Sequence, residues 1–392
     1  MDFFIIELVK KILFVCDKNE CTSFGRLTLN LIKAVTPEFE AHVLWLKTPK
    51  FFPDAEKSAQ GAASVVSPDS YTSHEVWGKS LYTGFFSFRS PLKKVVKDVQ
   101  PDVVFFIRPE LGFLVPVAKS ALKSCKNNGR TVMFVHDTFA ETLYPTSPKF
   151  ILLNLFYIRS CVSASTFVYN SGWTREEAAK HFGPKMSNAP GTVIGCPIDS
   201  ELFNKPEVAI TAEDKKAFRR KKGMRNFTGM CVNVSLDEPR KNIDTYFETA
   251  RLRPDVAFVR VGKLSERLRE IINVKKLYNV FHFERLNADE LRDLYRHADL
   301  MVYPSLLEGF GLPPIEAIAC GTPALCAATS AVKENLDGVA PLIDPPTDAE
   351  AYAKVIDRVI SGENVLNEEK AAELLLHCSM KSFKERVLNA LS

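Results

Sequence analysis

Residues 303–325 read YPSLLEGFGLPPIEAIACGTPAL, and they combine the signals of a strand, a loop and a helix. An apolar run that ends near Ser305 predicts a buried strand. Pro313 and Pro314 fit the first turn of the following helix, where a missing backbone N–H removes no hydrogen bond. Gly321 fits the position just past the end of that helix. The stretch therefore predicts a glycine-containing loop between the carboxyl end of a strand and the N-terminus of a helix.

This loop has the chemistry of a phosphate site. Gly309 and Gly311 let the backbone approach a ligand closely, and the amides and dipole at a helix N-terminus attract anions. Glu308 lies in the loop and Glu316 about one turn into the helix. Two carboxylates beside a phosphate cradle suit a nucleotide-sugar, so we expect Glu316 to bind the ribose hydroxyls and Glu308 to contact the transferred sugar. The expected donor-binding loop comprises Gly309, Phe310, Gly311 and Leu312.

The rest of the chain alternates short apolar runs with longer amphipathic segments. Nearly continuous hydrophobicity in the runs predicts parallel strands that are covered on both faces by helices. In the first half the predicted strands are 11–16, 42–46, 103–107, 131–136 and 166–171. In the second half they are 228–235, 256–262, 280–284, 299–305 and 323–328. Because the pattern occurs twice, we expect two doubly wound α/β domains.

Helix starts and chain breaks divide the sequence further. A helix is predicted at 174–182, with Thr174 as its N-cap and Glu177 three residues on, as in a capping box. Glycine and proline residues interrupt both strand and helix patterns within 195–212. The joint between the two domains is therefore expected in that segment.

Length and composition agree with this organisation. The chain has 392 residues, too many for one ordinary domain, and 46% of them are hydrophobic. A net charge of +4 argues against nucleic-acid binding.

The nine cysteines contain no CxxC pair, which argues against a disulfide framework or a zinc site and favours buried thiols in a reducing compartment. The apolar N-terminal stretch is short and carries Asp2 and Glu7, so we expect no signal peptide, no membrane span and a cytoplasmic location.

The pair Glu308 and Glu316, separated by GFGLPPI, resembles the signature of the retaining family-four glycosyltransferases of the GT-B fold, the glycosyl transferases of group 1. The resemblance extends over most of the chain. TVIGCPIDSELF at 192–203 is similar to the inter-domain segment of the family, with Asp199 and Phe203 in matching positions.

The family resemblance implies two Rossmann-like domains that face a cleft. The first, at 1–197, would be the acceptor-side domain, and the second, at 198–378, would bind the nucleotide-sugar. The last helix, at 379–392, resembles the C-terminal helix of the family that packs back on the N-terminal domain.

The resemblance also assigns residues around the donor diphosphate. DEPRKNIDTYFETA at 237–250 resembles the loop and helix after the first strand of the second domain, whose lysine binds the diphosphate. That role falls on Lys241, with Arg240 beside it. Many family members carry an arginine just after that strand, where this chain has Ser235. A serine hydroxyl donates one hydrogen bond but carries no charge, so Lys241, Arg240 and the amides of 309–311 are left to hold the diphosphate.

Two more contacts are implied in the first domain. FVHDTF places His136 at the end of a buried strand, where family members often have a histidine that contacts the donor sugar. A core histidine bonded to a backbone carbonyl is the alternative. Gly25 and Arg26 open a predicted helix, and the family commonly has such a turn with its amides facing the donor phosphate. An ordinary helix start is the alternative there, and a single glycine makes no dinucleotide fingerprint.

The implied reaction transfers a hexose from a nucleotide-sugar, a UDP- or GDP-sugar, to a glycan, lipid-linked or other acceptor with retention of configuration. Glu308, His136 and Lys241 are the candidate catalytic residues. Lys241 and the helix N-terminus would neutralise the leaving diphosphate. The sequence has no DxD motif, so neither a metal nor another cofactor is expected.

Other functions stay open. A nucleotide-sugar epimerase or a glycogen-type synthase has the same fold, although the length and the lack of a lysine–glycine-rich N-terminal loop argue against the synthase. A catalytically silent relative would bind sugar or nucleotide as a partner protein, a hypothesis that Ser235 alone favours. The basic amphipathic segment 90–99 leaves peripheral membrane contact open.

Overall fold

A computed structural model describes residues 9–19, 22–49, 70–78, 87–138, 148–153, 155 and 158–392. The N-terminal residues 1–8, on which the signal-peptide expectation depends, lie outside the described residues, as does Cys21. The chain divides into two compact units, and the first comprises Met1–Cys196 and Met380–Ser392. The second is Pro197–Ser379.

The first unit is built on a parallel sheet. Its strands are β1 (Lys10–Cys16), β2 (Phe39–Lys47), β3 (Thr72–Trp77), β4 (Val103–Phe106), β5 (Arg130–Val135), β6 (Thr166–Tyr169) and β7 (Gly191–Val193). Within the described residues they lie in the order β3-β2-β1-β4-β5-β6-β7 with parallel pairing throughout. The central strands are apolar because helices cover both of their faces; every residue of β4 is buried.

Helices connect these strands. They are α1 (Ser23–Val35), α2 (Arg89–Val99), α3 (Val115–Leu122), α4 (Pro148–Leu153), α5 (Gly172–Phe182) and α6 (Pro184–Ser187). The prediction of Thr174 as the N-cap of α5 is wrong. Ser171 has extended backbone just before the helix, and its hydroxyl accepts a hydrogen bond from the Thr174 amide at 3.0 Å. Thr174 therefore lies inside the first turn, because the helix begins as soon as the chain has left β6.

The last helix, α15 (Met380–Leu391), belongs to the first unit. Phe383, Val387 and Leu391 recur every fourth residue on one face and are buried in the same hydrophobic core as β1. The helix packs against α1, and Arg386 donates to the Ile194 carbonyl at 2.8 Å.

The second unit has its own parallel sheet. Its strands are β8 (Gly229–Val234), β9 (Val256–Val261), β10 (Val280–Phe283), β11 (Leu300–Tyr303), β12 (Ala324–Ala327) and β13 (Leu342–Ile343). They lie in the order β10-β9-β8-β11-β12-β13. The helices are α7 (Ala212–Lys221), α8 (Ile243–Leu252), α9 (Glu266–Val274), α10 (Ala288–His297), α11 (Leu312–Ala319), α12 (Ser330–Leu336), α13 (Ala349–Ile360) and α14 (Glu368–His377).

Three strands had no counterpart in the sequence predictions: β3, β7 and β13. All three lie at an edge of a sheet. β3 alternates exposed and half-buried residues, and β13 is only two residues long, so neither carries the continuous apolar run of a central strand.

In the part of the chain that the structure describes, no helix combines the length and apolar character needed to cross a membrane. The basic helix α2 buries its apolar residues Leu92, Val96 and Val99 within the first unit. Only its lysine-bearing face is therefore available to a partner.

Each sheet has one point where the order of strands reverses. In the first sheet β1 and β4 are neighbours, and in the second sheet β8 and β11 are neighbours. The connections on the two sides of such a point leave in opposite directions, which opens a crevice beyond the carboxyl ends of the two strands. Ligands of doubly wound proteins bind in this crevice, so the residues that follow these four strands are the first to consider.

Candidate functional site

The loops after β8 and β11 bring together three of the residues predicted from sequence. Arg240 and Lys241 lie in a short 3-10 helix after β8, and Glu308 lies in the loop after β11. The Leu306 amide donates to the Arg240 carbonyl at 2.7 Å, which ties the two loops to each other. The two strands place these side chains at one edge of the sheet because they are parallel neighbours.

Glu308 is a buried carboxylate with a full set of donors. It is 6% exposed. Its Oε1 accepts from Lys241 Nζ at 2.5 Å, from Ser305 Oγ at 2.5 Å and from Tyr303 Oη at 2.8 Å. Arg240 donates to Oε2 at 3.1 Å. The carboxylate is thus fixed by two cations and two hydroxyls, which is the pairing that a buried charge requires.

The two cations outweigh the effect of burial on Glu308. Burial raises the pKa of this carboxyl, but Lys241 and Arg240 lower it more, so the pKa of Glu308 is below its ordinary value. Burial lowers the pKa of Lys241, and Glu308 opposes that change. Glu308 is therefore ionised at neutral pH and holds Lys241 at the edge of the sheet.

The loop from Glu308 to Gly311 is held from the opposite side by α12. The Glu308 amide donates to Ser330 Oγ at 2.9 Å, and Asn335 donates to the Phe310 carbonyl at 2.7 Å. Gly311 has φ +90° and is the N-cap of α11, where no side chain accepts from the first amides. Leu312 follows as the first helical residue. The predicted strand, loop and helix are thus present in the predicted order.

Glu316 lies on α11 and is only partly buried. Tyr295 of α10 donates to Glu316 Oε2 at 3.2 Å. Burial and this neighbouring carboxylate raise the pKa of Tyr295 well above its ordinary value. Tyr295 therefore stays protonated as a donor and orients the Glu316 carboxylate.

Ser235 follows β8 directly and contributes no charge. Its hydroxyl donates to Asn233 Oδ1 at 3.0 Å, and its amide donates to the Val261 carbonyl of β9 at 3.2 Å. The structure thus places Ser235 in the loop that carries Arg240 and Lys241.

His136 follows β5 in the first unit. Its Nε2 is 2.8 Å from Asp137 Oδ2, and the edge of the Phe24 ring packs on it at 4.3 Å between centroids. The Nδ1 atom is buried without a hydrogen-bond partner among the described residues. Burial lowers the pKa of His136, but the Asp137 carboxylate outweighs it, so the pKa is raised. The partner of this histidine is thus a carboxylate, whereas the alternative predicted a backbone carbonyl.

Gly25 is the third residue of α1, since the helix begins at Ser23. Its amide donates to the hydroxyl of the N-cap Thr22 at 3.1 Å. The sequence expectation that Gly25 opens the helix is therefore wrong by two residues, because Thr22 supplies the cap.

Sequence reasoning missed several polar residues that share these edges. In the second unit they are Tyr303 and Ser305, which flank Pro304 at the end of β11. In the first unit Arg108, after β4, pairs with Asp17, after β1, with Nε and Oδ1 2.9 Å apart. Both members of this pair directly follow an apolar run, and that signal was present in the sequence. The pair spans the point where the order of the first sheet reverses.

Comparison with known proteins also divides the chain into two parts, with the boundary between residues 202 and 214. The family model described as Glycosyltransferase Family 4 matches residues 25–202, and the one described as Glycosyl transferases group 1 matches residues 214–374. The serotype-specific mannosyltransferase WbdA of Escherichia coli is 30% identical over 154 residues, 36% of this chain and 19% of WbdA. The alignment thus spans about a fifth of the length of WbdA.

Solved structures resemble the chain over nearly its whole length. Sucrose-phosphate synthase from Thermosynechococcus elongatus has a TM-score of 0.74 at 15% identity and covers 98% of this chain and 100% of its own. HepE of Anabaena, solved with UDP-glucose, has a TM-score of 0.71 at 16% identity, with coverage of 97% and 99%. At such identities the likeness is evidence for the fold alone.

Proposed function

Because the chain belongs to the glycosyltransferases of the GT-B fold, with a family 4 half followed by a group 1 half, we propose that it transfers a hexose from a nucleotide-sugar to a glycan or lipid-linked acceptor. The donor would be a UDP- or GDP-sugar. HepE, which shares the fold, was solved in complex with UDP-glucose, and this supports a nucleotide-sugar donor. WbdA is a mannosyltransferase, which supports a hexose.

One observation carries the proposal: two cations meet an ionised glutamate at the edge between β8 and β11, next to the N-terminus of α11. A diphosphate needs positive charge and backbone amides that can approach closely, and this edge supplies both. Arg240 also pairs with Glu238, with Nη2 and Oε2 2.7 Å apart. Lys241 and Arg240 would therefore share their charge between these two glutamates and the diphosphate. As the leaving group gains charge, that arrangement lowers the barrier to breaking the anomeric bond.

The remaining predicted residues take roles that fit their surroundings. Glu316 is partly exposed and oriented by Tyr295, so it can accept from the hydroxyls of a ribose. Glu308 is buried and its oxygens already accept from protein donors, so it would hold the two cations in place, and its contact with the transferred sugar is implied by the family resemblance alone. His136, in the first unit, has a raised pKa and would serve there as a hydrogen-bond donor.

We also propose that transfer retains the anomeric configuration and needs no metal. The cations at the edge of the sheet take the place of a metal beside the diphosphate, and the sequence has no DxD motif. The anomeric proton of the product, followed by NMR, tests the first statement. Transfer that stops in the presence of EDTA would contradict the second.

The test of the donor site is a thermal-shift screen of the protein against UDP, GDP, ADP and their common sugar conjugates. Ligand at about a hundredfold over its dissociation constant should stabilise the fold by roughly 2.7 kcal/mol. We expect one nucleotide to stabilise the protein and Glu316→Ala to lose most of that effect. Glu350→Ala, an exposed glutamate on α13 of the same unit, is the matched control and should respond like the wild type.

Two outcomes would count against the proposal. If none of the nucleotides stabilises the wild type, the donor site is wrong. If a nucleotide binds but no radiolabelled sugar reaches any glycan or lipid-linked acceptor, the silent relative that binds sugar or nucleotide becomes the better account. Release of free, epimerised sugar would favour the epimerase.

A further inference from the structure

Arg260 is a buried cation near the carboxyl end of β9, the second strand from one edge of the second sheet. It lies on β9, in register with Asn233 of β8, and its exposed fraction is 0%. Its Nη1 donates to the Val261 carbonyl. Its Nε and Nη2 atoms have no hydrogen-bond partner among the described residues, and within the same residues no carboxylate forms an ion pair with it.

Burying the Arg260 guanidinium in this way lowers the stability of the fold. Desolvation of an unpaired guanidinium opposes folding, and one bond to a carbonyl compensates only part of it. Burial lowers the pKa of Arg260 to about 10, so the side chain remains a cation at neutral pH. Asp237, in the loop after β8, favours the charged form of Arg260 without forming an ion pair with it. A buried cation with a perturbed pKa and no direct ion pair is a candidate for a functional site.

The position of the guanidinium connects it with the proposed diphosphate site. Gly262 has φ +129°, and a Cβ built on it would lie 2.9 Å from Arg260 Nη1 and 2.1 Å from the Ser235 carbonyl oxygen. The guanidinium thus fills the space that Gly262 leaves open, next to the start of the loop after β8. Tyr303, whose hydroxyl is 3.1 Å from Lys241 Nζ, lies within electrostatic range of Arg260.

We propose that Arg260 is a positioning residue for the donor diphosphate, adding from the neighbouring strand the positive charge that Ser235 does not provide. This inference rests on the proposed function. The side chain is too deeply buried to touch the phosphate oxygens, so it acts through its field, which a buried and poorly solvated setting weakens little. An anionic ligand would in turn offset the cost of burying the charge.

A purely structural role makes a different prediction. If Arg260 only supported the Val261 carbonyl and the backbone around Gly262, its loss would disturb every ligand of this edge equally. If Arg260 instead acts through its positive charge, its loss weakens the binding of ligands with phosphate and spares those without it. Comparing a nucleotide with its nucleoside therefore distinguishes the electrostatic role from the structural one.

The experiment is isothermal titration calorimetry of the wild type, Arg260→Gln and Arg260→Lys with UDP and uridine, and with GDP and guanosine. Arg260→Gln keeps a donor for the Val261 carbonyl but removes the charge, whereas Arg260→Lys keeps the charge. We expect Arg260→Gln to weaken binding of the diphosphate about tenfold and leave the nucleoside unchanged. Arg260→Lys should retain most of the affinity, and the difference between variants should shrink at high salt.

A second substitution tests the location of the charge. Ser235→Arg in the Arg260→Gln background returns a cation to the same loop and should recover diphosphate binding. If Arg260→Gln fails to fold, Arg260→Met measured against Arg260→Lys makes the same comparison.

The inference is overturned if Arg260→Gln binds the diphosphate as well as the wild type does, or loses nucleotide and nucleoside alike. In both cases the wild type still binds nucleotide and the proposed function survives. A wild type that binds neither UDP nor GDP would instead overturn the proposed function and this inference with it.

Discussion

At the scale of single residues, Glu308 and Lys241 depend on each other. Each is less than a tenth exposed, with 6% for Glu308 and 7% for Lys241. Their charged atoms are 2.5 Å apart. A buried ion pair contributes little net stability when it forms, but it leaves a large penalty when one partner is removed. The pair therefore fixes the position of Lys241 more than it strengthens the fold.

Replacement of Lys241 should expose that penalty. In Lys241→Met the ionised Glu308 keeps Arg240 and two hydroxyls but loses its main cation, so we expect a loss of about 3 kcal/mol in the free energy of unfolding. Urea unfolding at pH 7 measures it. Glu308→Gln combined with Lys241→Met is the control, because it removes both charges and should be less destabilised than the sum of the single variants. Additive single effects would show that the pair is not coupled.

The pH dependence of this penalty follows from the lowered pKa of Glu308. A carboxyl whose pKa is lower in the folded state stabilises the fold above its unfolded pKa of about 4.3. That stabilisation is lost as the pH falls through the folded value. The difference between wild type and Lys241→Met should thus be complete at neutral pH and shrink in acid.

The sequence predicted which charged residues lie at this edge but not that Glu308 and Lys241 contact each other. Glu308 and Lys241 were assigned from separate loops, to the sugar and to the diphosphate respectively. Their contact depends on the pairing of β8 with β11, and no local signal reports which strands become neighbours. The same holds for Arg260, which reads as one polar residue in an apolar strand until the register places it beside Asn233.

At the scale of elements, the start of α11 depends on one glycine. Gly311 takes φ +90°, and a Cβ there would lie 3.0 Å from Val332 Cγ2 of α12. An L-residue in this backbone region costs about 1–2 kcal/mol. The amides at the start of α11 keep their direction only while this turn is unchanged.

Gly311→Ala should therefore weaken nucleotide binding as well as stability. Gly223→Ala is a matched control, because Gly223 has φ +81° and nothing within 4 Å of its added Cβ, so it reports the backbone cost alone. We expect both variants to lower the melting temperature and only Gly311→Ala to lose affinity, measured by calorimetry with the nucleotide that the wild type binds. Equal affinities in the two variants would mean that the turn does not form part of the site.

Strands that carry an apolar run could be predicted from sequence, including β10 at one edge of the second sheet, whereas the edge strands β3, β7 and β13 could not. β1, β4, β8 and β11 are apolar along most of their length because both faces are covered, so their apolar runs identify them. β3 is half exposed, and its largely polar sequence TSHEVW contains no apolar run. The start of α5 was misplaced for a related reason: Ser171 and Thr174 are both good caps, and only the end of β6 decides between them.

At the scale of the whole molecule, the chain ends in the unit in which it begins. α15 follows the second unit in sequence, but its buried residues are part of the core of the first unit. The first unit therefore cannot complete its core until the last residues of the chain are available. Its stability should depend on α15 even though β1 lies more than three hundred positions away in the 392-residue sequence.

Phe383→Ala tests this dependence. Phe383 is 0% exposed, and its removal from a core should cost about 3–5 kcal/mol. Leu376→Ala on α14 is the control, because Leu376 is 66% exposed and its loss should change stability by at most about 0.5 kcal/mol. Hydrogen exchange should quicken in β1 and α1 of Phe383→Ala while β8 and β11 keep their protection. Equal loss of protection in both sheets would mean that the two units unfold as one, and that the site at the β8–β11 edge shares the stability of the chain terminus.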